Sequence, residues 1–195
     1  TLAAWHYAVE SPPGPSLSLL AATQDSFVNQ RNNRRNTNYG SSVYLVVSSG
    51  NRQVQLDNGN EQVQNGRLYV SFDTSTSCLT TNLTSAILTL YAAGSIPSSA
   101  SFPLLLFSDS WLEQTITYNN SSAATGTPVA GTVSSETIDG SVAQIVQFDV
   151  TQLVGGLSDE VSFEISTASS ATRFHSRESA TLELRPKLNL SFSQC

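Results

Sequence analysis

The chain has 195 residues and 20.8 kDa, room for one hydrophobic core with short extensions but not for two full domains. Charged residues make up 12%, about half of the usual ~25%, and nine basic against fifteen acidic groups leave a net charge of −6, which argues against a phosphate-backbone interface and so against nucleic acid as a partner. No apolar run approaches the ~20 residues of a membrane-spanning helix; the longest, Phe102 to Phe107, is strand-sized and holds Pro103.

The first ten residues alternate, with Ala3, Trp5, Tyr7 and Val9 on one side and Leu2, Ala4, His6 and Ala8 on the other, which predicts a strand. Residues 11–16, with Pro12, Pro13 and Pro15, cannot continue a hydrogen-bonded ladder and predict a semi-rigid linker. A domain over residues 17–195 then opens with a strand of its own at Leu17 to Leu20, which leaves residues 1–10 surplus to it. Further strands are predicted at Val43 to Val47, on both sides of an Asn58-Gly59 hairpin turn between Val54 and Val63, and after an Asn65-Gly66 turn. From Arg67 to Asp73 the alternation points Leu68, Val70 and Phe72 inward and Tyr69 and Ser71 outward. Strands follow at Ile87 to Tyr91, Leu104 to Phe107, Thr115 to Tyr118 and Ile145 to Val150, and another has Val161, Phe163 and Ile165 inward and Glu160, Ser162 and Glu164 outward. One helical turn is expected after Asp149 or Thr151, ended by Gly155-Gly156. The last strand reads from Thr181 to Phe192 with even-numbered residues inward, and Pro186 makes it an edge or bulged strand. The whole predicts an all-β, two-sheet antiparallel β-sandwich of jelly-roll type, with an extra N-terminal strand on a Pro-rich linker.

The chain contains no Met, so Thr1 is not a translation start and a removed secretory leader is expected. Cys78 and Cys195 form an even pair in a chain of extracellular composition and are expected to be disulfide-bonded, restricting the unfolded ensemble by ~4–5 kcal/mol in the chain-entropy model. Four Asn-X-Ser/Thr sequons, at Asn82, Asn119, Asn120 and Asn189, are candidate sites for covalent N-glycans. Catalytic signatures are missing: there is no GxSxG, HExxH, phosphate loop or CxxC, and His6 and His175 are the only histidines. Asp109 and Glu113 could pair as glycosidase carboxylates, but a solvated loop is the simpler reading. No cofactor is expected; the Asp57 to Glu61 run offers oxygens for calcium, although the hairpin turn accounts for the same residues. Arg31, Arg34 and Arg35 in the polar stretch 29–40 are candidate ligands for uronate carboxylates, against the alternative of a solvated loop.

Several segments in order resemble the DNRLRE domain family: Asp25 to Val28, Asn38-Tyr39-Gly40, Arg67 to Asp73, Ser85 to Tyr91, Trp111 to Asn119, Phe148 to Thr151, Phe174-His175-Ser176-Arg177-Glu178 and Arg185 to Leu188. The resemblance spans about residues 21–193 and implies a jelly roll similar to carbohydrate-binding modules, with acidic polysaccharides such as alginate as suggested ligands and no enzyme activity in the domain. Read from the residues alone, Trp111 and Tyr118 can cover one end of the core, and Arg177 with Glu178 either ties neighbouring connections or is an exposed pair that contributes almost nothing.

A surplus apolar strand on a stiff tether either folds back or adds to the open edge of another copy through Leu2, Ala3, Trp5, Tyr7 and Val9. Addition to a neighbour is head-to-tail and generates a filament unless it closes into a ring. The leading expectation is thus a non-catalytic, extracellular structural subunit that forms a homopolymer. The alternative is a monomeric carbohydrate-binding module for acidic polysaccharide.

Overall fold

The computed structural model describes residues 15–75, 82–156, 159–167 and 171–193. The expected N-terminal strand with Leu2, Ala3, Trp5, Tyr7 and Val9, residues 11–14 of the expected linker, and both Cys78 and Cys195 lie outside the described residues.

Two five-stranded antiparallel sheets form the sandwich. The first has the order β1 (Ser16–Ala21), β14 (Lys187–Phe192), β7 (Leu83–Tyr91), β11 (Ser141–Asp149) and β10 (Thr132–Ile138). The second has the order β2 (Gln24–Val28), β6 (Arg67–Asp73), β12 (Glu160–Ile165), β8 (Pro103–Phe107) and β9 (Val129–Ala130). The chain crosses between the sheets within two residues, where the Thr23 N–H donates to Ser71 O (2.9 Å) just after β1 ends. A β3 (Tyr44–Ser48) and β13 (Ala171–His175) pair flanks the sandwich, tied to it by a bridge between Ala92 and Phe174. The hairpin β4 (Asn51–Leu56) and β5 (Gly59–Gln64) stands beside that pair.

The inward face of each strand is the apolar one. Leu68, Val70 and Phe72 of β6 and Val161, Phe163 and Ile165 of β12 are buried against a layer that includes Leu88, Val146, Phe148 and Leu190. Each such side chain contributes about 1.5–3 kcal/mol by leaving water. The helical turn α1 (Thr151–Val154) follows β11 at the expected place, but its N-cap is Val150, without a side-chain cap, rather than Asp149 or Thr151; Asp149 Oδ1 accepts from the Thr151 N–H (3.1 Å) and hydroxyl (2.6 Å), and Gly156 takes a positive φ of 91° after the turn.

Four other expectations need correction. Thr115 to Tyr118 is not a strand: the Thr115 and Ile116 N–H groups turn back to Leu112 O (3.0 and 2.9 Å), and Asn120 Oδ1 accepts from the Thr117 N–H (2.6 Å). The last strand does not start at Thr181. Leu182–Leu184 is a 3-10 turn with Leu182 exposed, and β14 begins after Pro186 and lies inside the sheet between β1 and β7, not at an edge; its register does shift, but between Ser191 and Phe192 rather than at Pro186. The hairpin turn falls on Asp57-Asn58 because Leu56 pairs with Gly59; positive φ (125°) belongs to Gly59 and not to Asn58, so the turn is not the type I′ that an Asn58-Gly59 pair signals. Asn65, with φ of 43°, does make the left-handed turn into β6. Finally, Tyr69, Ser71, Ser162 and Glu164, expected to face solvent, are buried, because a loop covers the outer face of the second sheet.

Candidate functional site

That loop is the connection between β8 and β9, residues 108–128. Its apolar underside packs on the sheet, with Ile116 buried against Val28, Tyr69 and Phe107, and with Trp111 and Tyr118 half-buried around them. Trp111 and Tyr118 therefore cover an outer face of the sandwich rather than its end. Backbone anchors fix the loop at both sides. The Asp25 N–H donates to Glu113 Oε1 (2.9 Å), the Glu113 N–H to Gln24 Oε1 (3.0 Å), and the Asn119 N–H to Arg35 O (3.1 Å).

Glu164 is the central anchor. Its Oε2 accepts from Arg67 Nη1 (3.0 Å), the Tyr69 hydroxyl (3.0 Å) and the Ala124 N–H (3.1 Å), so an outward carboxylate of β12 holds both the sheet and the returning loop. Burial, and then the Glu164 charge, hold the Tyr69 phenol protonated well above its usual range. Arg67 also lies over the Tyr118 ring, 5.5 Å from its centroid, and Arg35 does the same at 5.5 Å.

Trp111 sits where this apolar layer reaches the surface. Its ring lies against Tyr69 with centroids 5.9 Å apart, and its Nε1–H donates to Ser162 Oγ (3.1 Å), which in turn shares a 2.5 Å hydrogen bond with Ser71 Oγ. With its one polar atom satisfied from below, the indole has a fixed orientation and leaves its carbon surface to solvent. Two open hollows flank it. One of about 540 Å³ is bounded by Leu112, Thr115, Asn120 and Ser122, and the other, of about 390 Å³, by Asp159, Glu160 and Val161. Phe107, Asp109 and Ser110 border both, and Asp109 hydrogen-bonds the Ser122 hydroxyl. Acidic groups, hydroxyls and one amide line this trough, and no Lys or Arg does. A flat apolar plate ringed by hydroxyl- and amide-bearing side chains matches the surface of a pyranose, which has C–H faces and a rim of hydroxyls.

The candidate arginines are only partly available. Arg34 Nε is 3.1 Å from Glu61 Oε1, and Arg35 Nε donates to Gln30 O (2.9 Å), whereas the Arg31 guanidinium has no such partner among the described residues. Glu61 is further held by the Tyr39 hydroxyl and Asn29 Nδ2 (3.3 Å), and Asp57 Oδ2 accepts from the Val43 N–H (2.9 Å), so the run considered for calcium has its carboxylates turned to protein donors. The sequons at Asn119 and Asn120 lie on the loop itself; both are exposed, and Asn120 borders the larger hollow. Asn189, in β14, pairs with Leu19 on the outer face of the first sheet, and Asn82 directly precedes β7. Histidine chemistry finds no support: His175 Nδ1 is 3.4 Å from Ser179 Oγ, but that serine is buried. Asp109 and Glu113 part company, the first on the surface with Ser122 and the second buried under Arg177.

The resemblance pieces quoted from separate parts of the sequence meet in one place. Arg177 Nη1 donates to Glu113 Oε2 (2.6 Å), the Arg177 N–H to Asp25 Oδ2 (2.6 Å), and Asn38 Nδ2 to Glu113 O (2.7 Å). Gly40 belongs to the same junction, since a Cβ there would lie 2.2 Å from Glu113 O. What sequence missed was the trough: Asp109 stands out only as a candidate glycosidase carboxylate, Leu112 only as part of the Trp111 to Asn119 piece and Glu160 only as an outward strand residue, and nothing local joins them to Ser110 around Trp111.

None of the curated proteins matches this chain. One family model does, over residues 16–192, from the first strand of the sandwich to its last; it supports the carbohydrate-binding-module likeness read over about residues 21–193, under a different family from the DNRLRE domains named above. The chain belongs to carbohydrate-binding module family 96.

Proposed function

We propose that the protein binds a neutral, hydroxyl-rich glycan in the trough around Trp111, without turning it over, in an extracellular setting. The observation that carries this reading is the fixed, half-exposed indole with a hollow on each side, in a chain of a carbohydrate-binding family. Asp109, Asp159 and Glu160 repel uronates and accept hydrogen bonds from sugar hydroxyls. Acidic polysaccharide would have to rely on the arginine segment, where Arg34 and Arg35 are already engaged. Affinity electrophoresis in gels cast with neutral or polyuronate polysaccharides tests the choice. Trp111→Ala should abolish retention in the neutral gel that retards wild type most, while a triple Ala substitution of Arg31, Arg34 and Arg35 should leave it intact. Retention only in polyuronate, lost with the arginines, would reverse the assignment.

A second reading is a filament subunit joined by its N-terminal strand, and the state of β1 favours it. Among the described residues this strand lies at the edge of the first sheet, and it presents Leu17 (74% exposed) and Leu19 (59% exposed) on its outer face. Deleting residues 1–10 should then abolish filaments seen by electron microscopy; filaments of unchanged length would remove this reading.

A further inference from the structure

Below the loop that carries Trp111, three carboxylates from three distant segments converge: Asp25 of β2, Glu113 of the loop and Glu178 of the turn after β13. One oxygen from each lies within 4.8 Å of the other two. Asp25 is 1% exposed. Its Oδ2 accepts from the Arg177 N–H (2.6 Å), yet its Oδ1 is buried with no hydrogen-bond donor, and Glu178 Oε2 is in the same condition. Glu113, by contrast, has both oxygens served, Oε1 by the Asp25 N–H (2.9 Å) and Oε2 by Arg177 Nη1 (2.6 Å). The Asp25 N–H and Arg177 Nη1 are thus both directed at Glu113. Buried polar atoms are rarely left without a partner, and buried carboxylates least of all.

Charge points the same way. Three carboxylates face one guanidinium, that of Arg177, whose Nε is also 3.7 Å from Glu178 Oε1. With all three ionised, two negative charges exceed that one guanidinium at a site where Asp25 and Glu113 are buried.

We propose that this cluster binds a divalent cation of the calcium class, with one carboxylate oxygen each from Asp25, Glu113 and Glu178 as protein ligands and water completing the shell. An all-oxygen, carboxylate-rich donor set suits a hard divalent cation, and calcium accepts an irregular oxygen shell completed by water more readily than magnesium, which demands near-ideal octahedral geometry. The ion would neutralise the excess charge and serve the orphan oxygens. It would also join β2, the 108–128 loop and the 176–179 turn, so it acts as a clamp on the element that presents Trp111. The competing occupant is a proton on Asp25, which satisfies one oxygen and one charge without any metal.

The test uses the full chain, stripped with chelator and titrated with CaCl₂ at pH 7 by isothermal titration calorimetry and thermal unfolding. One Ca²⁺ per chain should bind, and at calcium a hundredfold above Kd the melting temperature should rise by about 5–10 °C. Asp25→Asn, which removes the charge and keeps the shape, should fold, lose the calcium heat and melt at the same temperature with calcium or chelator. Glu178→Gln should weaken binding at least tenfold, and MgCl₂ should bind wild type more weakly than CaCl₂. No calcium heat and no melting shift up to about 10 mM, above the range of extracellular calcium modules, would overturn the proposal. So would an Asp25→Asn variant that still responds like wild type.

Discussion

Gly40 offers a sharp test of how the 108–128 loop is held. A methyl group at this position would lie 2.2 Å from Glu113 O and 2.7 Å from Glu113 Cγ, so the loop or the 38–43 segment has to move by about an ångström. Gly40 does not have a positive φ, and the penalty of Gly40→Ala is therefore steric alone. Overpacking of this kind costs about 1–3 kcal/mol. The carbonyl that must retreat also accepts from Asn38 Nδ2 (2.7 Å), and loss of that bond adds about 1 kcal/mol. A total of about 2–4 kcal/mol lowers the melting temperature of a domain this size by about 5–15 °C. Differential scanning calorimetry of Gly40→Ala measures it, with Gly155→Ala as control, since the nearest atom to a Cβ there is Thr151 O at 3.5 Å. If Gly40→Ala melts within about 1 °C of wild type, the close approach of Gly40 to Glu113 is refuted.

Other consequences follow from the same geometry. Glu164→Ala strands Arg67 and the Tyr69 hydroxyl, and urea unfolding should show a loss of about 3 kcal/mol; a change under about 0.5 kcal/mol would mean that Glu164 does not anchor the loop. Burial first, and the Arg173 charge second, hold the His175 imidazole below its ordinary value, so the folded protein favours the neutral ring. That contribution is complete above the unfolded imidazole value of about 6.5 and is lost as pH falls through it toward the folded value. His175→Gln should accordingly flatten the decline in melting temperature between about pH 7 and pH 5, and an unchanged slope would assign the decline to other groups.

The sandwich was legible because its strands bury one face against each other. Period-2 alternation in Leu68, Val70 and Phe72 or in Val161, Phe163 and Ile165 encodes that face directly. It failed for Tyr69 and Glu164, because the residues that meet them, Ile116 and Trp111 at Tyr69 and Ala124 at Glu164, come from a loop whose path local pattern does not record. It failed again at Leu182 and Leu184, where even-numbered leucines continue the alternation through a 3-10 turn that Pro186 separates from β14. Asp25, Glu113, Arg177 and Glu178 were visible as fragments of a resemblance, but their meeting depends on contacts up to 152 residues apart in sequence, as between Asp25 and Arg177. The arginine segment drew attention by charge alone, and charge does not reveal that Arg34 is already paired with Glu61.

The central claim is that sugar rings meet the exposed face of Trp111. The chain has two tryptophans, so a Trp5→Phe variant leaves Trp111 as the sole indole reporter. Titrating that variant with soluble oligosaccharides cut from the neutral polysaccharide that retards it should give a saturable shift in emission, with the same Kd as calorimetry. Emission that stays constant while calorimetry records binding would place the ligand elsewhere on the molecule and contradict the account.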